Sequence, residues 1–379
     1  MTQDRAAAGV AEKPPSRPAP PIVVVGLGAV GSLLAGCLAA AGCAVVAVGR
    51  VDLGGRPRAI QLVEPGGRRR TVTVVAAGPE GIPPESRVAL LAVKQYDLYQ
   101  GVLPASGLHA PPTPGYYRFV EPRSGQQLSW LVLILPQIEQ ANLHSQFDLS
   151  RSVFQQPKEP QAIQVSAFLC PSDSARGQYF ADGALTGGKR LAKGNYAAFC
   201  SPFHTDLQVS FPGALIATGQ STAAIRDGLS NTLMLSEVRV RANPQDQRGA
   251  WALAWTGTSL LAFDMHHNFF LPRDPYVPSS YFVGLAQPPN NQGPNVDMLY
   301  ACPDMAGAQL EEMPCGVWQR GTDWEFLSAA PRSRHPGGVN VAFADGHVGF
   351  LINEVDDFVM AYLISINDRQ SVDYSPYVY

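Results

Sequence analysis

The sequence predicts an α/β fragment followed by a β-rich α+β domain, and three observations lead there. Short β-branched runs near the start flank a glycine- and alanine-rich stretch suited to a helix, the alternation of an α/β unit. From about Tyr116 the chain turns to short apolar runs, aromatics, amides and recurrent Pro and Gly, with little helical periodicity. Charge divides at the same place: 11 Lys+Arg against 7 Asp+Glu in residues 1–110, then 17 against 24 in the remainder. A length of 379 residues can bury two or three cores, and 46% apolar with 16% charged residues excludes wholesale disorder. A net charge of −3 leaves no electrostatic footprint for nucleic acid, so no such partner is expected.

Residues 1–20 are polar and Ala/Pro-rich and read as a disordered lead-in. Ile22–Val25 suits a buried parallel strand. Gly26, Gly28 and Gly31 follow at G-x-G-x-x-G spacing, and Ala29–Ala41 can continue as a helix, so strand and helix flank the glycines as a Rossmann-like unit requires. Gly26 would turn tightly, Gly28 would admit a pyrophosphate, and Gly31 would let helix and strand pack closely. Phosphates would lie over the free N–H groups of the helix start. A second strand, Ala44–Val48, ends at Gly49-Arg50. Arg50 stands where an acid would take a ribose 2′-hydroxyl, and it would pair with a 2′-phosphate. That favours NADP over NAD, with Asp52 nearby leaving the choice open. Ala59–Glu64, Pro65-Gly66-Gly67 and Arg70–Val75 read as a hairpin, and Val88–Val93 as a buried strand ending at Lys94.

The pieces VVVGLGAVGSLLAGCLAAAG, VAVGR, the hairpin around EPGG and LLAVKQYDL resemble the N-terminal part of ketopantoate reductases (2-dehydropantoate 2-reductases). The resemblance covers about residues 21–104 and implies a truncated, NADP-binding segment with Gly26, Gly28, Gly31, Arg50 and Lys94 on the cofactor. Residues 105–115 then read as a Pro/Gly linker. The family's Asn-Gly loop and helical substrate domain do not come after it. The remaining lysines, Lys158, Lys189 and Lys193, lie in no long amphipathic helix, so weak cofactor binding without reductase chemistry is expected. Residues 19–49 also carry no charge, which admits a membrane span, and Leu34-Ala35-Gly36-Cys37 admits a lipoprotein processing site. The hairpin and the Lys94 strand have no explanation under either alternative. The preferred reading has no transmembrane span.

In the second module, residues 116–379, Trp130–Phe147 begins as an apolar run and becomes amphipathic, predicting a helix with Pro136 at or near its start. Val339–Ala344 alternates, Asp345-Gly346 suits a two-residue type I′ turn, and His347–Ile352 returns as the partner strand. His335 and Asp345 enclose nine residues and Gly346 follows. This H-x9-D-G segment, with SWLVLILPQIEQANLHSQFD, AFLCPSD, GNYAAF and IRDGLSNTLMLSE, resembles the prepilin-type processing-associated family of bacterial proteins. The resemblance implies a pseudopilin-like, non-enzymatic domain, with envelope or secretion-system components as partners. Members begin with a prepilin leader and a long apolar helix. Without a clean leader, the chain reads as cytoplasmic as written, with export to the envelope as the alternative.

The polar residues of the hairpin read as architecture. His335, Asp345 and His347 could gather as metal ligands, but hydrogen bonds to the backbone around the turn account for them, and no metal is expected. The adjacent His266 and His267 would point apart on a strand, and Asp227–Asn231 reads as a tight loop before the strand Thr232–Ser236. No nucleophile motif appears, and no catalytic residue is assigned. Cys170, Cys200, Cys302 and Cys315 permit disulfides, Cys170–Cys200 and Cys302–Cys315 being the short closures, with buried free thiols as the alternative. The function expected is a non-enzymatic envelope module fused to a truncated NADP-binding segment. The competing readings are an NADP-dependent reductase and a membrane- or lipid-anchored exported protein.

Overall fold

The structure is a computed structural model that describes five strands before residue 100, and residues 101–265, 286–293, 297–319 and 327–379. The five strands are β1 (Ile22–Val25), β2 (Val45–Val48), β3 (Pro57–Val63), β4 (Arg69–Ala77) and β5 (Val88–Leu91). They form a sheet in the order β3-β4-β2-β1-β5. β1 is parallel to β2 and to β5, and β2 is parallel to β4. A first strand with parallel neighbours on both sides is the arrangement of doubly wound α/β sheets. β3 and β4 pair antiparallel from Pro57↔Val75 to Val63↔Arg69, the hairpin expected around Pro65-Gly66-Gly67. Gly26, Gly28, Gly31, Arg50 and Lys94 lie outside the described residues, as do the lead-in and the stretch expected as a helix over 29–41.

The second sheet dominates the rest of the chain. Its strands are β9 (Tyr196–Ser201), β11 (Leu233–Glu237), β12 (Leu260–Ala262), β15 (Gly338–Phe343) and β16 (Val348–Ile352), in the order β12-β9-β11-β15-β16. β12 is parallel to β9, and the other pairs are antiparallel. Short two-residue strands pair into ribbons around it: β6 (Val102–Leu103) with β10 (Gln220–Ser221), β7 (Tyr179–Phe180) with β8 (Leu191–Ala192), and β13 (Met298–Leu299) with β14 (Gly316–Val317).

Strand periodicity explains how the sheet separates two cores. Side chains alternate between faces. On β9, Ala198 and Cys200 join the core around Trp130, Trp251 and Trp255, while Ala197 and Phe199 join the core on the other face. On β12, Leu260 and Ala262 divide from Leu261 in the same way. Strands buried on both faces lose the apolar/polar alternation, which is why β9 reads as YAAFCS. β15 buries Val339, Val341 and Phe343 on one face, where the helix Asp357–Ile364 packs with Met360, Ala361, Leu363 and Ile364. The outer edge of β16 is covered: Phe350 and Tyr379 exchange backbone hydrogen bonds at 2.9 and 3.1 Å.

The fold departs from three expectations. Residues 105–115 are not a linker in the described structure. Ser106 is fully buried, its Oγ donates to Gln208 Oε1 at 2.6 Å, and the Leu108 N–H donates to Leu128 O at 2.8 Å. β6, placed by sequence in the first segment, pairs with β10 of the β-rich domain. Trp130–Phe147 is broken into a helix Trp130–Leu133, a 3-10 turn Leu135–Ile138 and a helix Ala141–His144. Pro136 does start a turn, but Glu139 adopts φ 67°, a left-handed conformation that no continuous helix accommodates.

Candidate functional site

The sequence grouped His335 with Asp345 and His347; the structure separates them. Asp345 and His347 sit at the exposed hairpin tip, where Asp345 Oδ1 accepts from the His347 N–H at 3.0 Å and contacts its Nδ1 at 2.6 Å. The His347 ring stacks on Phe343 with centroids 4.1 Å apart. The tip is a three-residue loop rather than a two-residue type I′ turn. Gly346 N–H donates to Phe343 O and Phe343 N–H to His347 O, each at 2.9 Å. Gly346 has φ 91°, whereas Asp345 is not among the residues of positive φ, as type I′ would demand. A turn through Ala344-Asp345 followed by a left-handed Gly satisfies both hydrogen bonds and keeps the strand twist.

His335 instead sits where three strands of the large sheet end. β11 finishes at Glu237, which pairs across the sheet with Tyr196 at the start of β9. The chain passes His335 just before β15, and Cys170 follows the 3-10 turn Ser166–Phe168. His335 Nε2 lies 3.1 Å from Glu237 Oε1 and 3.7 Å from Cys170 Sγ. All three atoms lie within 4.8 Å of one another, and among the described residues no other group of His, Cys and acidic ligand atoms gathers in this way. Cys170 is 6% exposed, and the side chains of Glu237 and His335 are 3% and 14% exposed.

Neighbouring groups hold each member in place. Glu237 Oε2 accepts from the Asn340 N–H at 2.8 Å and from Asn340 Nδ2 at 3.1 Å, which leaves Oε1 facing the cluster. Asn195 Oδ1 accepts from the Cys170 N–H at 2.9 Å, and Asn195 Nδ2 donates to Asp173 Oδ2 at 2.7 Å and to Val238 O. The His335 N–H donates to Ser333 Oγ, which in turn donates to Gly338 O. Asp173 is also paired with Arg334 at 2.8 Å. Burial pushes the Cys170 thiol up to about 12, with the Glu237 charge adding to the shift, and burial raises Tyr196 well above its ordinary value. A thiol held that high is a poor nucleophile at neutral pH. The arrangement is therefore a convergent donor set of sulfur, nitrogen and oxygen rather than an activated cysteine.

The other sequence candidates fall elsewhere. Cys302 and Cys315 form a disulfide, but Cys170 and Cys200 are buried free thiols, so the expected Cys170–Cys200 bridge is not made. The Cys200 Sγ donates to Leu261 O at 3.3 Å inside one core, and Cys170 faces Glu237 and His335. His266 and His267 lie outside the described residues. Asp227 precedes the 3-10 turn Leu229–Asn231, and its carboxylate accepts from the N–H groups of Asp368 and Arg369 at 2.8 and 2.9 Å, an architectural role. Lys189 pairs with Glu159. Burial lowers Lys193 to about 8, and its Nζ donates to the carbonyls of Arg241 and Asn243 at 2.9 and 3.1 Å.

Sequence reasoning missed Glu237 altogether and gave Cys170 the wrong partner. The available signal was the set of motifs: Cys170 from AFLCPSD, Asn195 and Tyr196 from GNYAAF, Glu237 from LMLSE, and His335 with Asn340 from SRHPGGVN. Each brings a polar side chain to the same end of the sheet. Also missed was a buried ion network, in which Arg248 reaches Asp246 at 2.7 Å and Asp297 at 2.8 Å, and Arg332 reaches Asp297 at 2.8 Å.

Comparison with known families divides the chain at nearly the place the charge does. A model described as a protein of unknown function (DUF1559) matches residues 90–357, and the ketopantoate reductase PanE/ApbA model matches residues 22–108. No curated protein and no solved structure matches the chain significantly. Among the described residues no helix is long and apolar enough to cross a membrane.

Proposed function

Because the chain belongs to the DUF1559 family and is similar over residues 22–108 to the ketopantoate reductases, we propose a pseudopilin-like envelope or surface module joined to an NADP-binding segment. On this reading the molecule is not an enzyme, and its partners are envelope or secretion-system components. The observation that carries the non-enzymatic part of this reading is where the reductase-like stretch ends. The similarity runs to residue 108, yet β6 at Val102–Leu103 is already paired with β10, and Ser106 is already buried against Gln208. A two-core β-rich domain then occupies the place of a helical substrate domain, and Lys189 and Lys193 are held by structural partners. Positioning of nicotinamide and substrate contributes much of the rate in such reactions, and a segment without that domain forfeits it.

A second reading keeps the cofactor segment in use. The parallel β2-β1-β5 core and the match to the reductase family favour retained nucleotide binding, with Gly26, Gly28, Gly31, Arg50 and Lys94 on an NADP molecule. Titration should give tighter binding of NADPH than of NADH, and Arg50→Ala should erase the difference by removing the phosphate contact. Equal affinities in the unmutated chain would remove the assignment.

The envelope role is tested by mass spectrometry of the mature N-terminus in fractionated native cells. Peptides of the β-rich domain are expected in the envelope fraction. Recovery of the intact chain solely from the cytosol would overturn the envelope role.

A further inference from the structure

We propose that Cys170 Sγ, Glu237 Oε1 and His335 Nε2 form a three-ligand site for a borderline-soft divalent cation of the Zn2+ type, with water as fourth ligand. The inference concerns the β-rich domain alone and stands whether or not the envelope role does.

The donor set comes first. Thiolate, imidazole and carboxylate together select zinc-like ions, whereas Ca2+ and Mg2+ take oxygen alone. With Zn–S about 2.3 Å and Zn–N and Zn–O about 2.0–2.1 Å, a tetrahedral centre sets S···N near roughly 3.5 Å and N···O near roughly 3.3 Å. The observed separations are 3.7 and 3.1 Å. Two edges of the set thus match those of a coordination tetrahedron, and the third, sulfur to oxygen, is under 4.8 Å.

Without a cation, hydrogen bonds among the three groups hold them facing one another. His335 Nε2 faces both the carboxylate and the sulfur, and the Cys170 thiol also bonds Glu237, so the three donor atoms converge on one point. A cation meets all three atoms at once. Thiolate, carboxylate and neutral imidazole around a dication sum to zero charge, an arrangement that a buried position tolerates. The thiol proton leaves to solvent as the cation enters. His335 is the most exposed of the three side chains.

The surroundings are those of a built site. Both donors of Asn340 fix the far oxygen of Glu237, Asn195 fixes the backbone of Cys170, and Ser333 fixes that of His335. Outer partners of this kind orient ligands and typically alter metal affinity by about 10–100-fold when removed. Asp173 lies beside the cluster but is already engaged by Arg334, Asn195 and the Val240 N–H, so it takes no part as a ligand.

The test uses the full chain, made metal-free by dialysis against chelator and titrated with Co2+ and Zn2+. Binding of a single equivalent of Co2+ should bring the intense visible bands of a tetrahedral centre together with a sulfur-to-cobalt charge-transfer band, and Zn2+ should displace both. In Cys170→Ser the charge-transfer band should vanish, and in His335→Gln and Glu237→Gln affinity should fall by more than about tenfold. Asn340→Ala, which leaves all three ligands in place, should weaken binding about 10–100-fold. Circular dichroism of each variant without metal establishes that it is folded. No retained Co2+ in the folded wild-type chain overturns the proposal. So does an unchanged spectrum in Cys170→Ser, which would place the metal elsewhere.

Discussion

At Cys170 and Cys200 the thiols lie in different surroundings, one against a carboxylate and the other under a carbonyl, and burial pushes each up to about 12. Neither should react with iodoacetamide at about pH 8 while the chain is folded, and both should react in denaturant. Peptide mapping reads this directly; prompt labelling of either site in folded protein would contradict the burial. Two glycines on the final hairpin separate conformational strain from collision. Gly346 has φ 91° with open space around it, so Gly346→Val should cost more than about 1 kcal/mol through backbone strain alone. At Gly338 a Cβ would meet the Leu351 carbonyl oxygen of the paired strand, so Gly338→Ala should be the more damaging change despite its ordinary φ. Denaturant midpoints of the two variants decide the order.

Among elements, the β15–β16 hairpin is the most legible in sequence, because Val339, Val341 and Phe343 alternate toward one core and Asp345-Gly346 marks a reversal. Its turn type is not legible, because a local dipeptide does not reveal whether Ala344 belongs to strand or loop. The break at Glu139 leaves no sequence trace, since nothing in QIEQ marks a left-handed residue. Residues 105–115 resemble a linker only while Pro and Gly are counted as punctuation; Gly107 is there because a Cβ would collide with Ala254. The candidate site's members lie in motifs that the sequence shows, but their convergence is illegible for a different reason. Cys170, Glu237 and His335 lie 67 and 98 positions apart in sequence, and only the register of β9, β11 and β15 brings them to one end of the sheet. The same register leaves β16 at an edge protected by the C-terminal residues, with Leu351 bridged to Val378. Deleting residues 374–379 should uncover that edge, lower the melting temperature and promote self-association. Light scattering and thermal melts would show it, and an unchanged monomer would mean that the edge needs no cover.

At the scale of the whole molecule, stability of the β-rich domain depends on buried charges whose pairing no sequence pattern reveals. Arg248 lies between Asp246 and Asp297 and also donates to Met313 O, two residues before Cys315 of the Cys302–Cys315 bridge. Arg248→Ala should cost about 3–5 kcal/mol, because buried Asp246 loses its main partner, while Asp297 keeps Arg332. Burial works to raise the Asp246 carboxyl, but the Arg248 guanidinium overrides it and holds it below the usual range. A folded value below the unfolded one gives stability that is present above about pH 4 and lost as pH falls through the folded value, so melting temperature should drop in acid. Reducing Cys302–Cys315, a 13-residue separation, should remove on the order of 3 kcal/mol. The two modules themselves lead to one decisive experiment. The full chain is mixed with NADPH and ketopantoate, and cofactor binding and oxidation are followed together. The proposed reading predicts weak NADPH binding with no substrate-dependent oxidation; sustained oxidation that disappears in Lys94→Ala would contradict it.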